Sequence, residues 1–390
     1  MSKRLVVQVQ LLLLLACPVT LVGQSWPSAG WTVVVPAPTG PSRVGTLVMR
    51  VVDSSRGDPF LLDGTKRELM IRFWYPASPG LKCRTAEYSS PTVWAYLSRI
   101  TSFPLPDVQT NSCASAPAAT GLHPVIVFSH GYTGTFTDCT FLFEDLASRG
   151  YVVVSVGHSY ETTAVEFPGG RLIMSRFGSY LSDDSLRSDE QSLRFARMVR
   201  LADLKFVLDA LQRESLSGKW FAGKLDMARV GILGHSLGGE VALASLRRDP
   251  RWRAAVLLDA PIAGDDTGGT AKPLLLIAAG RQNWSHEECS LWSHLRGPHQ
   301  AINLRDADHF TPTDALWLFP NENGFSRGRL RETVTLLRDI VGGFFDAHLR
   351  GFPAAPAAFV NLSAYRDASI TNQDQILCSS HAADATGGLR

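Results

Sequence analysis

A serine stands between glycines at the end of an apolar run, in the stretch GHSLG at positions 234–238. This G-x-S-x-G spacing is typical of a sharp strand-to-helix turn that exposes the serine hydroxyl for nucleophilic attack. The preceding "RVGIL" has the composition of a strand, and the following "GGEVALASLRRD" that of a helix. We therefore predict that Ser236 is a nucleophile. The alternative is a glycine-rich turn that serves packing alone.

A serine nucleophile needs a histidine base, and in this strand-to-helix context the base follows the serine along the chain. His309 comes directly after the last apolar strand, in "INLRDADHFTPTD". That junction is expected at the carboxyl edge of the sheet, where Ser236 also lies, so we predict His309 as the base. The other downstream histidines are interpreted as surface or packing residues: His286, His294, His299, His348 and His381.

The acid that orients the histidine has two candidate positions. After the apolar run "KPLLLIAAG" the first carboxylates are Glu287 and Glu288, which lie far along the chain. The preceding run "RAAVLLDAP" delivers Asp259 at its carboxyl end, where an unpaired carboxylate would be costly. We predict Asp259 as the acid, with a helix cap or turn role as the alternative. Asp306 and Asp308 are interpreted as shaping their own loop.

Acyl transfer also requires two N–H donors that stabilise a developing oxyanion. The residue after the nucleophile, Leu237, is predicted to supply one through its backbone. The loop after "HPVIVFSHG" is predicted to supply the other at Tyr132, with His130 as a supporting hydrogen-bonding residue. The alternative for this loop is a plain strand-to-helix connection.

The elements that would position these residues alternate along the chain. Apolar runs such as "HPVIVFS", "YVVVSVG", "RVGILG", "AAVLLD" and "PLLLIAA" are separated by helical patterns. This alternation predicts an α/β protein with a mostly parallel central sheet and helices on both faces. In front of it, "GTLVMRVVDSS" and "RELMIRFWYPA" predict an antiparallel hairpin with one solvated face. Residues 81–122 are expected to be irregular apart from a short helix at "PTVWAYLSRI".

Composition narrows the class of protein. The 390 residues are 45% hydrophobic and 19% charged, with a net charge of +2, so we expect a globular chain and no nucleic-acid partner. The six cysteines contain no C-x-x-C and match no metal pattern, so we expect no metal and no cofactor.

The amino terminus predicts export. Lys3 and Arg4 precede an apolar stretch with five consecutive leucines, and small residues follow near Gly23. We predict an export signal at 1–24, a catalytic domain at 25–352 and a C-terminal tail at 353–390. The expected location is secreted or periplasmic. "LLAC" also resembles a lipoprotein box, so anchoring through Cys17 is the alternative.

An exported chain permits disulfides. The hypotheses for the remaining cysteines are a Cys83–Cys113 bridge, a Cys289–Cys378 bridge and a buried thiol at Cys139.

With these residues in place, the chain resembles the platelet-activating factor acetylhydrolase family, of the secreted and bacterial type with an α/β-hydrolase fold. The matches include "RELMIRFWYPA", "DLASRGYVVVSVGH", "LDMARVGILGHSLGG", "LLDAP" and "DHFTPTD". The resemblance implies the order Ser236, Asp259, His309, and oxyanion donors at Tyr132 and Leu237. It therefore favours Asp259 over the glutamates. Leu237 departs from the family, in which an aromatic residue is common at this position.

The resemblance also implies an activity, hydrolysis of short or oxidised acyl esters such as sn-2 acetyl phospholipids. The implied partners are an ester or phospholipid substrate and a lipid surface contacted transiently. Two alternatives remain open: a broad-specificity secreted esterase or polyester hydrolase, and a catalytically silent binding protein of the same fold.

Overall fold

The computed structural model describes residues 30–61, 63–80, 82–101, 104–177, 190–281, 283–304, 307–319, 327–352 and 370–372. The strands are β1 (Thr32–Val34), β2 (Val44–Gly57), β3 (Lys66–Pro76), β4 (Thr85–Glu87), β5 (Asp107–Ala114), β6 (His123–Ser129), β7 (Val152–Gly157), β8 (Ala164–Phe167), β9 (Arg171–Met174), β10 (Leu225–His235), β11 (Trp252–Leu258), β12 (Leu274–Ala279), β13 (His299–Leu304) and β14 (Ile370–Asn372). The helices are α1 (Pro91–Thr101), α2 (Thr140–Ser148), α3 (Glu190–Ser217), α4 (Leu237–Arg248), α5 (His286–His294), α6 (Ala315–Leu318) and α7 (Arg327–Arg350).

One mixed sheet organises the fold. Its order is β1-β5-β2-β3-β7-β6-β10-β11-β12-β13-β14, and β4 pairs with β5. The strands from β7 through β6 and β10 to β13 are mutually parallel, whereas β2 and β3 form an antiparallel hairpin that joins the sheet at β7. The predicted mostly parallel sheet with an antiparallel hairpin is therefore confirmed.

Helices cover both faces of this sheet. Along β6 and β10, Val127 and Ile232 pack into one apolar cluster, and their chain neighbours Ile126 and Leu233 pack into the other. Side chains of α3, α4 and α5 contribute to the first cluster, and those of α2 and α7 to the second. Both faces of the central strands are thus apolar, which explains their unbroken hydrophobic runs.

Two local predictions about the chain before Gly231 need correction, and one hairpin in this part was not predicted. The strand β3 is buried on both faces from Leu69 onward, because Phe73 packs into one apolar cluster and Trp74 into the other. The stretch 81–122 contains β4, α1 and β5; in β5 the alternating buried positions include Thr110 and Ser112, so no apolar alternation marked it. The stretch around Gly169 is a β8–β9 hairpin.

The cysteine hypotheses are confirmed where they can be tested. Cys83 and Cys113 form a disulfide, and Cys139 is a buried free thiol. Cys289 is also disulfide-bonded. Cys378 and Cys17 lie outside the described residues.

The two predicted terminal segments are only partly visible. The predicted export signal at 1–24 lies outside the described residues, as does most of the predicted tail at 353–390, so both boundaries stay predictions. Residues 370–372 of that tail form β14, antiparallel to β13. Among the helices that the structure describes, none has the length and apolar character of a membrane span.

Candidate active site

Ser236 occupies the turn between β10 and α4. Its backbone has φ +53° and ψ −124°, a combination that costs energy for a residue with a side chain. The turn is held by the Ser236 N–H, which donates to the Leu258 carbonyl at 2.9 Å, and by its carbonyl, which accepts from the Gly239 N–H at 2.9 Å. Although serine is a favoured N-cap residue, this side chain makes no cap hydrogen bond. The half-buried hydroxyl is therefore not used by the helix.

The turn requires glycine because backbones approach closely. A Cβ at Gly234 would lie 2.2 Å from the Gly238 carbonyl oxygen, and a Cβ at Gly238 would lie 2.0 Å from the Ser129 carbonyl oxygen. Both distances are shorter than any tolerated contact. The glycines of the motif thus bring β6, β10 and α4 together at one point, as the spacing predicted.

Asp259 and His309 meet at the neighbouring strand ends. Asp259 follows β11 with φ +41°, and its Oδ2 accepts a hydrogen bond from His309 Nδ1–H at 2.6 Å. Its Oδ1 accepts from the Ala279 N–H at 3.0 Å. Since the carboxylate can only accept, the bond leaves Nε2 of His309 as the nitrogen without a proton. The imidazole is 30% exposed, so a substrate can reach it.

The electrostatics favour an ionised Asp259. Burial alone would favour the neutral acid, but the hydrogen bond and charge of His309, followed by the charge of Arg281, lower the pKa of Asp259 below its ordinary value. The carboxylate therefore stays ionised.

His235 connects the histidine loop to the nucleophile turn. Its Nε2–H donates to the carbonyl oxygen of His309 at 2.8 Å, and the two ring centroids lie 4.7 Å apart. Burial, followed by the charge of His309, lowers the pKa of His235 to about 3, so this ring is neutral. The loop of His309 is further held by Asp308, which accepts from the N–H groups of Phe310 and Thr311. Asp308 thus shapes its loop as predicted, whereas Asp306 lies outside the described residues.

Arg281 is a site residue that the sequence did not reveal. Its guanidinium lies 3.4 Å from Asp259 Oδ1, donates to the Ala260 carbonyl at 3.1 Å and forms an ion pair with buried Glu288. Glu288 also completes a capping box with Ser285 at the start of α5. Glu288, one of the two alternative acids, is therefore already paired. Arg281 and Asp259 lie between it and His309 in the chain of contacts. The sequence signal that could have indicated Arg281 was its place, as a cationic residue just after the apolar run of β12.

The predicted oxyanion donors lie beside Ser236. Leu237 begins α4, so its N–H belongs to the first helical turn, which lacks an intrahelical acceptor. Tyr132 follows Gly131, where a Cβ would lie 3.5 Å from Ser236 Cβ. His130 is buried, and its Nδ1–H donates to the Gly131 carbonyl at 2.7 Å, in line with a supporting role.

The other downstream histidines lie in α5 and α7 or, in the case of His299, at the start of β13. His294 Nδ1 bonds to the Ser290 carbonyl in its own helix, and His299 Nδ1 bonds to the Gly297 carbonyl. His348 packs against Phe344 in α7, and His286 begins α5. His381 lies outside the described residues.

Comparison with known proteins places this geometry in a family. The family model described as platelet-activating factor acetylhydrolase, isoform II, matches residues 31–167 and 197–305. A probable 1-alkyl-2-acetylglycerophosphocholine esterase of Arthroderma benhamiae is 26% identical over 67% of this chain and 69% of its own length. The platelet-activating factor acetylhydrolase of Canis lupus familiaris is 25% identical over 51% of each chain, so the chain spans about half of that relative.

Two further similarities concern esterases. A cutinase of Thermobifida alba is 25% identical over 50% of this chain and 56% of its own length. A solved ferulic acid esterase from Streptomyces cinnamoneus is 31% identical, with a TM-score of 0.70 over 87% of this chain and 99% of that one. Together the matches confirm the predicted α/β-hydrolase fold and the predicted class, an enzyme that hydrolyses esters. The chain belongs to the platelet-activating factor acetylhydrolase, isoform II, family.

Proposed function

We propose that this protein hydrolyses carboxylic esters through a Ser236–Asp259–His309 triad. The observation that carries the proposal is the 2.6 Å hydrogen bond between His309 and buried Asp259, at the strand ends next to the strained Ser236 turn. A carboxylate that accepts from Nδ1–H directs Nε2 of the ring toward proton transfer.

The mechanism proceeds through an acyl-enzyme. His309 Nε2 accepts the Ser236 hydroxyl proton while the serine oxygen attacks the ester carbonyl. The N–H groups of Tyr132 and Leu237 hold the resulting oxyanion. His309 then protonates the departing alcohol. A water molecule, deprotonated by the same ring, attacks the acyl-enzyme, and the ring returns this proton to the Ser236 oxygen as the acid leaves.

For the substrate we propose esters with short or oxidised acyl groups, such as sn-2 acetyl phospholipids. The names of the matched family and of its fungal and mammalian relatives support this choice. The second candidate is a broad-specificity esterase or polyester hydrolase, which the cutinase and ferulic acid esterase similarities support. A catalytically silent binding protein is disfavoured, because the acid and base are paired beside the serine turn.

A substrate panel separates these candidates. Acetyl, butyryl and long-chain 4-nitrophenyl esters, a short sn-2 phospholipid, a methyl ferulate and a polyester film would be compared by kcat/KM or product release. The first proposal expects the acetyl phospholipid to be preferred. A preference for ferulate or polyester would favour the second candidate.

The nucleophile is tested by Ser236→Ala in the full chain. We expect kcat for 4-nitrophenyl acetate to fall at least about 10⁴-fold, because no acyl-enzyme can form. A fluorophosphonate should label the wild type at Ser236 and leave the variant unlabelled. The matched control is Ser245→Ala, which replaces a buried serine of α4, the helix that follows Ser236. This variant should keep activity and labelling. A folded wild type without labelling would overturn the proposed function.

We also propose that the chain is exported. The charged and leucine-rich start supports this, as does the Cys83–Cys113 disulfide, since such bonds persist in oxidising compartments. Cell fractionation of a tagged full-length chain tests the proposal, and retention in the reducing cytosol would contradict it. Incorporation of labelled palmitate, lost in Cys17→Ser, would indicate the lipoprotein alternative.

A further inference from the structure

A buried arginine of α3 reaches the loop that follows β6. Arg200 and Glu161 both have no solvent exposure, and Arg200 Nε lies 2.7 and 2.8 Å from the two Glu161 carboxylate oxygens. The opposite charges offset part of the cost of burying each group. Nη2 also pairs with a Glu161 oxygen, and the other donors of Nη1 and Nη2 are directed at the end of β6.

These donors hold three consecutive residues. Arg200 Nη1 donates to the Ser129 hydroxyl at 3.3 Å and to the His130 carbonyl, and Nη2 donates to the Gly131 carbonyl at 3.0 Å. The Gly131 carbonyl also accepts from His130 Nδ1–H at 2.7 Å and from the Gly134 N–H at 3.0 Å. Rotation of this peptide would break all three of these hydrogen bonds at once.

The orientation of this carbonyl determines the orientation of a proposed oxyanion donor. The Gly131 carbonyl and the Tyr132 N–H belong to one trans peptide, so they point in opposite directions. Gly131 lies against the nucleophile, because a Cβ there would be 3.5 Å from Ser236 Cβ. A fixed carbonyl therefore fixes the direction of the Tyr132 N–H, which points away from Arg200.

We propose that Arg200 is the positioning residue of the oxyanion loop, holding the Gly131–Tyr132 peptide in the orientation that the transition state requires. The inference rests on the proposed function, in which Tyr132 is a donor. Packing alone does not call for an arginine here, because an apolar residue fills buried space without the cost of a charge. The planar fork of five donors matches several fixed acceptors at once, which a lysine cannot reproduce.

Arg67 provides a matched control. It also has no solvent exposure, and it lies in β3. Its guanidinium binds Asp58, Asp203 and the Ser159 carbonyl, rather than the backbone of residues 130–131. Replacement of either arginine by lysine keeps the charge and loses the planar fork. The two variants therefore differ in whether the lost contacts include the backbone of residues 130–131, since Arg67 reaches the Ser129 hydroxyl indirectly, through Asp203 and His158.

The experiment compares Arg200→Lys and Arg67→Lys in the full chain. For each we would measure Tm, and kcat and KM for 4-nitrophenyl acetate per site titrated with fluorophosphonate. In Arg200→Lys we expect kcat to fall about 100-fold, the scale of a lost oxyanion donor, with KM within about threefold. Affinity for a boronic acid analogue of the transition state should fall by a similar factor. In Arg67→Lys we expect a comparable loss of Tm and a kcat within about threefold of the wild type.

Each outcome has one meaning. A folded Arg200→Lys with wild-type kcat and analogue affinity would overturn the inference while an active wild type upholds the proposed function. An equal loss of kcat in Arg67→Lys would overturn it as well. If Arg200→Lys does not fold, Glu161→Gln replaces it, since that change loosens the anchor of Arg200 and leaves the loop sequence intact. A folded wild type that neither hydrolyses the ester nor labels would overturn the proposed function and this inference with it.

Discussion

At the scale of single residues, the site is built from hydrogen bonds that assign each proton a place. Asp259 accepts from His309 on one oxygen and from Ala279 on the other, so its carboxylate cannot rotate without losing partners. The neutral His235 donates its Nε2–H to the backbone carbonyl of His309. His309 is thus held at two points, through its ring Nδ1–H and through its backbone carbonyl. A fixed ring is what reproducible proton transfer requires.

The first prediction concerns the acid. Asp259→Asn should lower kcat about 10⁴-fold with little change in KM, because an amide favours the wrong tautomer of His309. Glu288→Gln should leave kcat within about fivefold, because Glu288 is linked to Asp259 through Arg281 and does not contact it directly among the described residues. Steady-state kinetics with 4-nitrophenyl acetate would measure both. A severe loss in the Glu288 variant with an active Asp259 variant would refute our acid assignment.

At the scale of elements, the residues of the proposed triad collect where strands end and helices begin. Parallel strands place their carboxyl ends at one edge, so β6, β10, β11 and β13 bring four chain segments together there. The close approach of these segments depends on the glycine at position 238, which has no room for a methyl group.

A second prediction follows for that contact. Gly238→Ala should lower kcat at least about 100-fold and lower Tm, since its Cβ would lie 2.0 Å from the Ser129 carbonyl oxygen and force the oxyanion loop away. Helix propensity alone would favour alanine by up to about 1 kcal/mol. A lower Tm in the variant would therefore come from the close contact with Ser129. Gly264→Ala is the control, because a Cβ there meets no atom within 4 Å. A fully active Gly238 variant would contradict the close approach.

The first turn of α4 also carries an unusual acid. Glu240 Oε1 lies 3.1 Å from Arg197 Nε, and Arg197 pairs with Asp265 and Asp266 as well. Burial, which the charge of Arg197 offsets only in part and that of Asp266 reinforces, raises the pKa of Glu240 from 4.5 to about 7.

The third prediction is the resulting pH dependence. The folded protein binds this proton more tightly than the unfolded chain, so the stability from Glu240 is complete below pH 4.5 and is lost as pH rises to about 7. Between pH 5 and pH 8 the Tm of the wild type should therefore fall more than that of Glu240→Gln. Thermal melts at pH 5, 6, 7 and 8 would show the difference. Parallel pH profiles for the two proteins would contradict the raised pKa.

At the scale of the whole molecule, the Cys83–Cys113 disulfide and the candidate active site lie in different parts of the sheet. The Cys83–Cys113 disulfide joins the stretch before β4 to β5, near one end of the strand order. Between β5 and β10 lie β2, β3, β7 and β6, which at the usual strand spacing separates the disulfide from Ser236 by roughly 24 Å.

The fourth prediction uses this separation. The double replacement of Cys83 and Cys113 by alanine should lower the free energy of unfolding by about 3–4 kcal/mol, because the open chain regains the entropy of a loop of 30 residues. At 25 °C, kcat should stay within about twofold of the wild type. Chemical denaturation and ester hydrolysis would measure the two effects. Loss of activity in a folded variant would show that the edge and the site are coupled.

Local pattern was enough to predict the serine turn, the order along the chain of the parallel strands β6, β7 and β10 to β13, and the pairing of Asp259 with His309. Each rests on periodicity or on a short motif, which act over neighbouring residues. The polar strand β5 and the hairpin β8–β9 were missed, because their burial depends on what packs against them rather than on their composition.

The sequence by itself determined which residues could do chemistry and the edge of the sheet at which they gather. Only the tertiary structure decided what holds them there: Arg281 between Asp259 and Glu288, and Arg200 against the Gly131 carbonyl. The residues in these contacts lie between 7 and 69 positions apart along the chain and belong to different elements or loops. A guanidinium carries no local signal of the acceptor that it will bind. The partner of a buried charge is set by how the elements assemble, because burial is what makes leaving that charge unpaired costly.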